Sequence, residues 1–274
     1  MAKILNGKKI AQKILEDLEK KIKKSHLKLV LGVVLVGQSQ VSKIYINQKR
    51  KACGEVGIDF KLFKFSSRIN TMRLKKEVKK ILPSVSGLII QLPLPQNIKA
   101  QEILNTIPLE KDVDCLSEKN LGKFYTDDLS ILPPIVGSVS RLLKEYKIKI
   151  KGKNVVIVGA GRLTGKPSAL WFLQKKATVS VLNEFTKDTP FFAKNADILV
   201  SGVGKPNLIK GEMVKKGVIV IDAGTSYQRG KLVGDVDFKN VSQKTSYITP
   251  VPGGVGPLTV ACLLENLVKL NKRI

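Results

Sequence analysis

Residues 153–167 read KNVVIVGAGRLTGKP. The apolar run at 153–159 predicts a buried strand, the glycines at 159, 161 and 165 mark a turn, and a helix follows through about residue 174. Strand, glycine turn and helix together form the context of a dinucleotide-binding loop, because backbone N–H groups at a helix N-terminus face phosphate oxygens. The spacing is G-x-G-x-x-x-G, one residue longer than the usual fingerprint. A second strand is expected over 178–182, and Glu184 stands just past its end, 19 residues after Gly165. A carboxylate there accepts hydrogen bonds from a ribose 2′-hydroxyl and repels a 2′-phosphate, which favours NAD over NADP. Strands at 198–201 and 218–222 run into Gly202-Val203-Gly204 and Ala223-Gly224-Thr225, where small residues let backbone approach a cofactor. This half of the chain reads as a Rossmann-like domain.

The half before it also alternates strand and helix. An amphipathic helix carries Ile10, Ile14, Leu18 and Ile22 on one side. A strand at 29–36, a helix at 41–56 and a strand at 60–65 make a βαβ unit; a helix at 71–82 then leads to a short strand at 87–92. Such alternation predicts an α/β fold with parallel sheets, and ligands beyond the C-terminal strand ends. On helix 41–56, at about 100° per residue, Val41, Tyr45, Ala52 and Val56 share a sector of about 60°. Lys49 projects about 80° from Val41, near the sector's edge, with Ser42 and Cys53 just beyond. A lysine held against apolar surface has its pKa pushed down and suits proton transfer near neutral pH. The other reading is a lysine that buries its stem and sends its ammonium to water.

Further candidates follow. Gln91-Leu92-Pro93-Leu94-Pro95 is a stiff loop at a strand end, since each residue before a proline is driven to extended conformations. Asp112 and Asp114 lie two residues apart, on one side of the backbone if it is extended. A metal pair is set aside for want of a third ligand, leaving turn and capping roles for Asp112 and a ligand hydrogen bond for Asp114. In residues 248–259, ITPVPGGVGPLT, glycines leave N–H groups available before an apolar helix that runs to about residue 270, with Pro257 in its first turn.

Composition bounds the rest. The chain has 274 residues, 43% of them hydrophobic, and no apolar run near the ~20 residues that span a bilayer. The acidic Glu16, Asp17 and Glu19 argue against a transit peptide. Cys53, Cys115 and Cys262 show no metal or redox spacing, so a reducing, cytoplasmic setting is expected. A net charge of +26 raises nucleic-acid binding, but the lysines are dispersed and the aromatics sparse, without stacking platforms. No nucleic acid, membrane or metal partner is expected. His26, the only histidine, reads as a surface residue.

Ser42-x-x-Tyr45-x-x-x-Lys49, Gln91-Leu-Pro-Leu-Pro95, Lys111-Asp-Val-Asp114, Gly234-Asp-Val and Pro250-Val-Pro-Gly-Gly-Val-Gly-Pro257-Leu-Thr259 together resemble the bifunctional methylenetetrahydrofolate dehydrogenase/methenyltetrahydrofolate cyclohydrolase family over nearly the whole chain. The resemblance implies a catalytic folate-binding domain at 1–136, joined by the C-terminal helix 257–274, and a Rossmann-like domain at 137–256. Folate would bind in the cleft between them. It implies that Lys49 transfers protons, Gln91 tunes it, Tyr45 lies over the pterin, Asp114 holds the pterin nitrogens and Ser42 supports the Lys49 side. Substrate contacts are implied also at Leu92, Pro93, Pro252, Gly253, Gly254 and Thr259. Cofactor contacts are implied at Gly159, Ala160, Gly161, Arg162, Gly165, Glu184, Gly202, Val203, Gly224 and Thr225, with NADP or NAD bound. A homodimer in one-carbon folate metabolism, and through it purine biosynthesis, completes the expectation. The chain departs from the family pattern at Pro133–Pro134–Ile135–Val136, at Cys115 in place of glycine, at Gly161 in place of serine, and at Glu184. Those departures motivate the alternative of a member that keeps one activity.

Overall fold

The computed structural model describes residues 2–38, 40–228 and 230–272, the side chains of residues 40 and 41 excepted. In chain order the elements are β1 (Lys3–Ile4), α1 (Gly7–Ser25), β2 (Val30–Val36), α2 (Gln40–Val56), β3 (Asp59–Phe65), α3 (Thr71–Ile81), β4 (Gly87–Ile90), α4 (Ala100–Leu104), α5 (Glu118–Tyr125) and α6 (Pro134–Glu145). Then come β5 (Asn154–Val158), α7 (Gly165–Gln174), β6 (Thr178–Leu182), α8 (Thr189–Lys194), β7 (Ile198–Ser201), β8 (Ile219–Asp222), β9 (Ser226–Gln228), β10 (Lys231–Val233), α9 (Phe238–Val241), β11 (Tyr247–Ile248) and α10 (Val255–Asn271). The chain divides into two compact units, Gln12–Pro134 with Val260–Ile274, and Met1–Ala11 with Ile135–Thr259.

The first unit holds a three-stranded parallel sheet in the order β3-β2-β4, with Val33 opposite Leu62 on one side and Ile89 on the other. Its central strand is buried along nearly its whole length, as an apolar strand covered on both faces must be. Val34, Leu74, Val78, Leu88 and Ile90 are fully buried in one core cluster. Helix α3 starts at Asn70, whose side chain accepts from the Arg73 N–H and satisfies one orphan donor of the first turn. The later part of α10 packs here: Asn266 Nδ2 donates to the Val113 and Leu132 carbonyls, and Leu267 fills the space beside Gly87.

The second unit holds a six-stranded sheet in the order β1-β11-β8-β7-β5-β6, parallel throughout. The strand order reverses beside β5, the first strand of the nucleotide-binding pattern, and such a reversal opens a crevice at the carboxyl ends of the strands. The departure from expectation is residues 1–11, assigned above with the folate domain. Lys3 and Ile4 instead pair with Tyr247 and Ile248 and extend the Rossmann-like sheet by one short strand. Two residues carry no periodicity, so only the pairing reveals the strand. The stretch 133–136, where the chain departs from the family pattern, runs into the start of α6 at Pro134, a residue suited to a first helical turn because it has no N–H to leave unpaired.

Candidate active site

Helix α2 presents more than the four apolar positions of its sequence pattern. Ser42, Ile46, Lys49, Ala52, Cys53 and Val56 are all buried. At about 100° per residue they span about 120°, and Lys49 falls near the middle of that span, not at its edge. The expectation about Val41 lies outside the described residues, and Tyr45 is half-buried. Lys49 thus lies on the helix face between Ser42, Cys53 and Ile46 on one side and Val56 and Ala52 on the other, a wider buried face than the apolar sector anticipated.

Lys49 is only 9% exposed. Its Nζ donates to Gln91 Oε1 at 2.8 Å, and Gln91 Nε2 donates to the Leu92 carbonyl at 3.0 Å. That second bond sets the amide so that its oxygen faces the lysine. Both residues sit where strands deliver them: α2 follows β2, Gln91 follows β4, and these two strands are parallel neighbours. Lost hydration pulls the Lys49 pKa below the ordinary lysine value, against the opposing pull of Asp114 and Cys53. Asp114 is pushed the other way, up to about 6, first by lost hydration and further by Asp112, with Lys49 drawing it down. The two groups are therefore electrostatic neighbours, each displaced toward neutrality. Burial raises the Cys53 thiol to about 12, so it stays protonated.

Asp112 takes the turn role expected of it. Asp112 is buried, and its carboxylate accepts from the Leu116 and Ser117 N–H groups and Asn120 Nδ2, which makes it a turn-former. The backbone is not extended, however: a short 3₁₀ turn at Leu109–Lys111 precedes it. Cys115, where the family pattern has glycine, adopts φ +57 and is fully buried. Leu92 is half-buried and Pro93 exposed, joined by a cis peptide.

In the other unit, β5, β6, β7 and β8 all point the same way, so the loops at 159–165, 183–185, 202–205 and 223–225 share one edge of the sheet. Gly159 has φ +103, and a Cβ at Gly165 would collide with the Gly159 carbonyl, so both glycines are required by the turn itself. Gly161 has open space where a side chain would stand. Gly161, Arg162, Glu184 and Val203 are exposed on this edge, with Ala160, Gly202 and Thr225 half-buried and Gly224 buried. A glycine turn opening a ten-residue helix, with room over it, fits a dinucleotide pyrophosphate. Pro252, Gly253, Gly254 and Thr259 also belong to this unit. Pro252 follows a cis peptide, the Gly253 carbonyl accepts from the Lys8 N–H, and Thr259 Oγ1 lies 3.1 Å from Ser138 Oγ.

Two buried carboxylates here were not singled out from the sequence. Asp222 ends β8 and accepts from the Gly224, Asp235 and Val236 N–H groups; Asp235 accepts from Ser201 Oγ and the N–H groups of Val203, Gly204 and Lys205. Burial, only partly offset by these donors, pushes Asp222 up to about 6. The signal in the sequence is an apolar strand ending on aspartate, and the Gly234-Asp-Val motif. Among the described residues no group of three or more His, Cys, Asp or Glu is placed to hold a metal, and no helix is long and apolar enough to cross a membrane.

Comparison with known proteins bears directly on this arrangement. The profile described as Tetrahydrofolate dehydrogenase/cyclohydrolase, catalytic domain, matches residues 5–114, and that described as Tetrahydrofolate dehydrogenase/cyclohydrolase, NAD(P)-binding domain, matches residues 133–274. The chain belongs to this family. The Bifunctional protein FolD of Hydrogenobaculum sp. (strain Y04AAS1) is 46% identical over 274 residues, covering 98% of this chain and 99% of that one. The crystal structure of the bifunctional FolD enzyme from Campylobacter jejuni superposes with TM-score 0.93 at 41% identity over 98% of both chains. The Trypanosoma brucei enzyme, complexed with NADP cofactor and inhibitor, superposes with TM-score 0.93 at 32% identity, over 98% of this chain and 97% of that one. As a tetrahydrofolate dehydrogenase/cyclohydrolase, the chain oxidises 5,10-methylenetetrahydrofolate with NAD(P)+ and hydrolyses the resulting 5,10-methenyltetrahydrofolate to 10-formyltetrahydrofolate.

Proposed function

We propose that the two steps use separate machinery, with Lys49 as the proton-transfer group of hydrolysis. The observation that carries this is the buried Lys49 ammonium 2.8 Å from Gln91 Oε1, with its pKa lowered by burial. A lysine so placed can exchange a proton with water near neutral pH as that water adds to the methenyl carbon. Gln91 orients the amine, Ser42 supports its side of the helix, and Tyr45 gives the pterin an aromatic face. Asp114 accepts from the pterin nitrogens when ionised. Bound NAD(P)+ supplies the hydride acceptor. The chain's part in that oxidation is to position the methylene carbon, because the folate's own nitrogens stabilise the cation and no acid or base is needed. Within the first unit the folate contacts fall to Tyr45, Gln91, Leu92, Pro93 and Asp114. The Lys49→Ala variant is expected to lose methenyl hydrolysis by more than about 100-fold with its fold intact. Near-normal hydrolysis in that variant would remove Lys49 from the role.

The dinucleotide is assigned to Gly159, Ala160, Gly161, Arg162 and Gly165 for its pyrophosphate, and to Gly202, Val203, Gly224 and Thr225 for the remainder. Glu184, exposed just past β6, supports NAD as the preferred cofactor. Side-by-side dehydrogenase assays decide this: a lower KM for NADP with equal or better kcat overturns it.

A homodimer is supported by β6, the outermost strand of its sheet. Its Val181 is 42% exposed, and Phe185 just beyond it is 82% exposed. An unpaired edge bearing apolar side chains is a surface that another chain covers. Val181→Lys is expected to give a monomer by light scattering; an unchanged mass would exclude this edge. The three cysteines are free and buried, in keeping with a cytoplasmic enzyme.

A further inference from the structure

Beside the proposed cofactor edge, three consecutive N–H groups, those of Val203, Gly204 and Lys205, converge on the Asp235 carboxylate at 2.7, 2.9 and 2.8 Å. Successive backbone N–H groups aimed at one point form an anion-binding concavity of the kind that elsewhere holds phosphate. Here the protein fills it with its own carboxylate, fully buried and steadied by Ser201 Oγ at 2.8 Å. Asp235 is itself braced. Its own N–H and that of Val236 donate to Asp222, and a Cβ on Gly224 would strike the Asp235 carboxylate, as one on Gly234 would strike that of Asp222. The two carboxylates therefore tie together the three loops at 202–205, 223–225 and 234–236, each passing through the gap left by a glycine. Two of these loops carry the residues assigned to the cofactor.

We propose that Asp235 is a positioning residue for dinucleotide binding. Its carboxylate occupies the concavity at 203–205, so that this loop is closed to phosphate and held at fixed height to meet an uncharged part of the cofactor. The pyrophosphate is left to the glycine turn before α7. This rests on the assignment of the dinucleotide to the strand ends of the second unit. Acting through backbone alone, Asp235 should affect the cofactor and not the cyclohydrolase step, which consumes no dinucleotide.

The test is Asp235→Asn in the full-length enzyme, measuring dinucleotide Kd by calorimetry together with both activities. One of the amide's two ends presents donors to N–H groups, so the loop loses its acceptor while side-chain volume is kept. Dinucleotide Kd is expected to rise on the order of tenfold or more, with methenyl hydrolysis within about twofold of the parent. A Kd within twofold, or a parallel fall of both activities such as a merely structural role produces, overturns the proposal. Should Asp235→Asn fail to fold, Ser201→Ala decides, since it removes only one of the four donors. A rise in Kd of about two- to fourfold supports the role, and no rise refutes it. Gly161→Asp separates this proposal from the assignment beneath it: there is open space for the side chain, and its charge opposes a pyrophosphate. If Gly161→Asp leaves Kd unchanged, the assignment of the site itself fails. If it raises Kd while Asp235→Asn does not, only the role of Asp235 fails.

Discussion

The Lys49 site and the cofactor edge are built from opposite materials. Around Lys49 the working parts are side chains held in an apolar helix face, and their chemistry comes from burial: an amine pulled down, a carboxyl pushed up to about 6. At the cofactor edge the working surface is backbone, shaped by glycines and pinned from behind by Asp222 and Asp235. A side-chain site should therefore fail by changes of charge and protonation, a backbone site by changes of volume measured in single methyl groups.

The largest effect expected from that contrast is at Gly165. Gly165→Ala puts a methyl group into the Gly159 carbonyl, and the turn has to open. Dinucleotide KM should rise more than about 100-fold with hydrolysis within about threefold, as steady-state assays of the two steps would show. Equal loss of both steps would mean that the turn serves the whole enzyme. Next comes Gln91→Leu. Removing the acceptor 2.8 Å from Lys49 disfavours the charged amine, so hydrolysis should fall about tenfold and its acidic limb should move to lower pH. A pH profile that keeps its shape would contradict this.

Asp114→Asn tests the burial argument through stability. The carboxyl ionises at about 6 in the fold against 3.8 ordinarily, so the unfolded chain ionises first as pH rises. Stability is lost across that window, by about 3 kcal/mol, and the cost is absent below pH 3.8. The variant should therefore match the parent near pH 4 and exceed it at pH 8 in urea unfolding, while folate KM rises. A variant less stable than the parent at pH 8 would show that the carboxylate is paired, not stranded. In the parent, folate KM should climb as pH falls through about 6.

The smallest effect pairs two buried thiols. Cys115→Gly gives up packing but relieves a non-glycine residue at φ +57, and the net change should stay under about 1 kcal/mol. Cys53→Gly, inside α2, has no strain to relieve and should lose roughly 2–3 kcal/mol. Equal losses in thermal melts would show that Cys115 carries no strain worth relieving.

Much of this was legible in the chain alone. Val, Ile and Leu runs between amphipathic helices determined two parallel sheets, and β6 and β7 fall on their expected residues, because apolar periodicity is a local property. The glycine turn at 159–165 and the Ser42, Tyr45, Lys49 and Gln91 motifs located both candidate sites. Contacts between distant residues were not legible from pattern and spacing, and only the family resemblance paired Gln91 with Lys49. Lys49 meets Gln91 across 42 residues only because β2 and β4 are parallel neighbours. Residues 1–11 join the second sheet by pairing that two residues cannot advertise, and Asp222 and Asp235 become a brace only once three loops converge. Sequence determined the longer strands and helices and the glycine turn between β5 and α7, since short-range sterics and burial pattern decide those. Tertiary structure decided which polar groups lose their water together, and pKa, strain and hydrogen-bond partnership all follow from that.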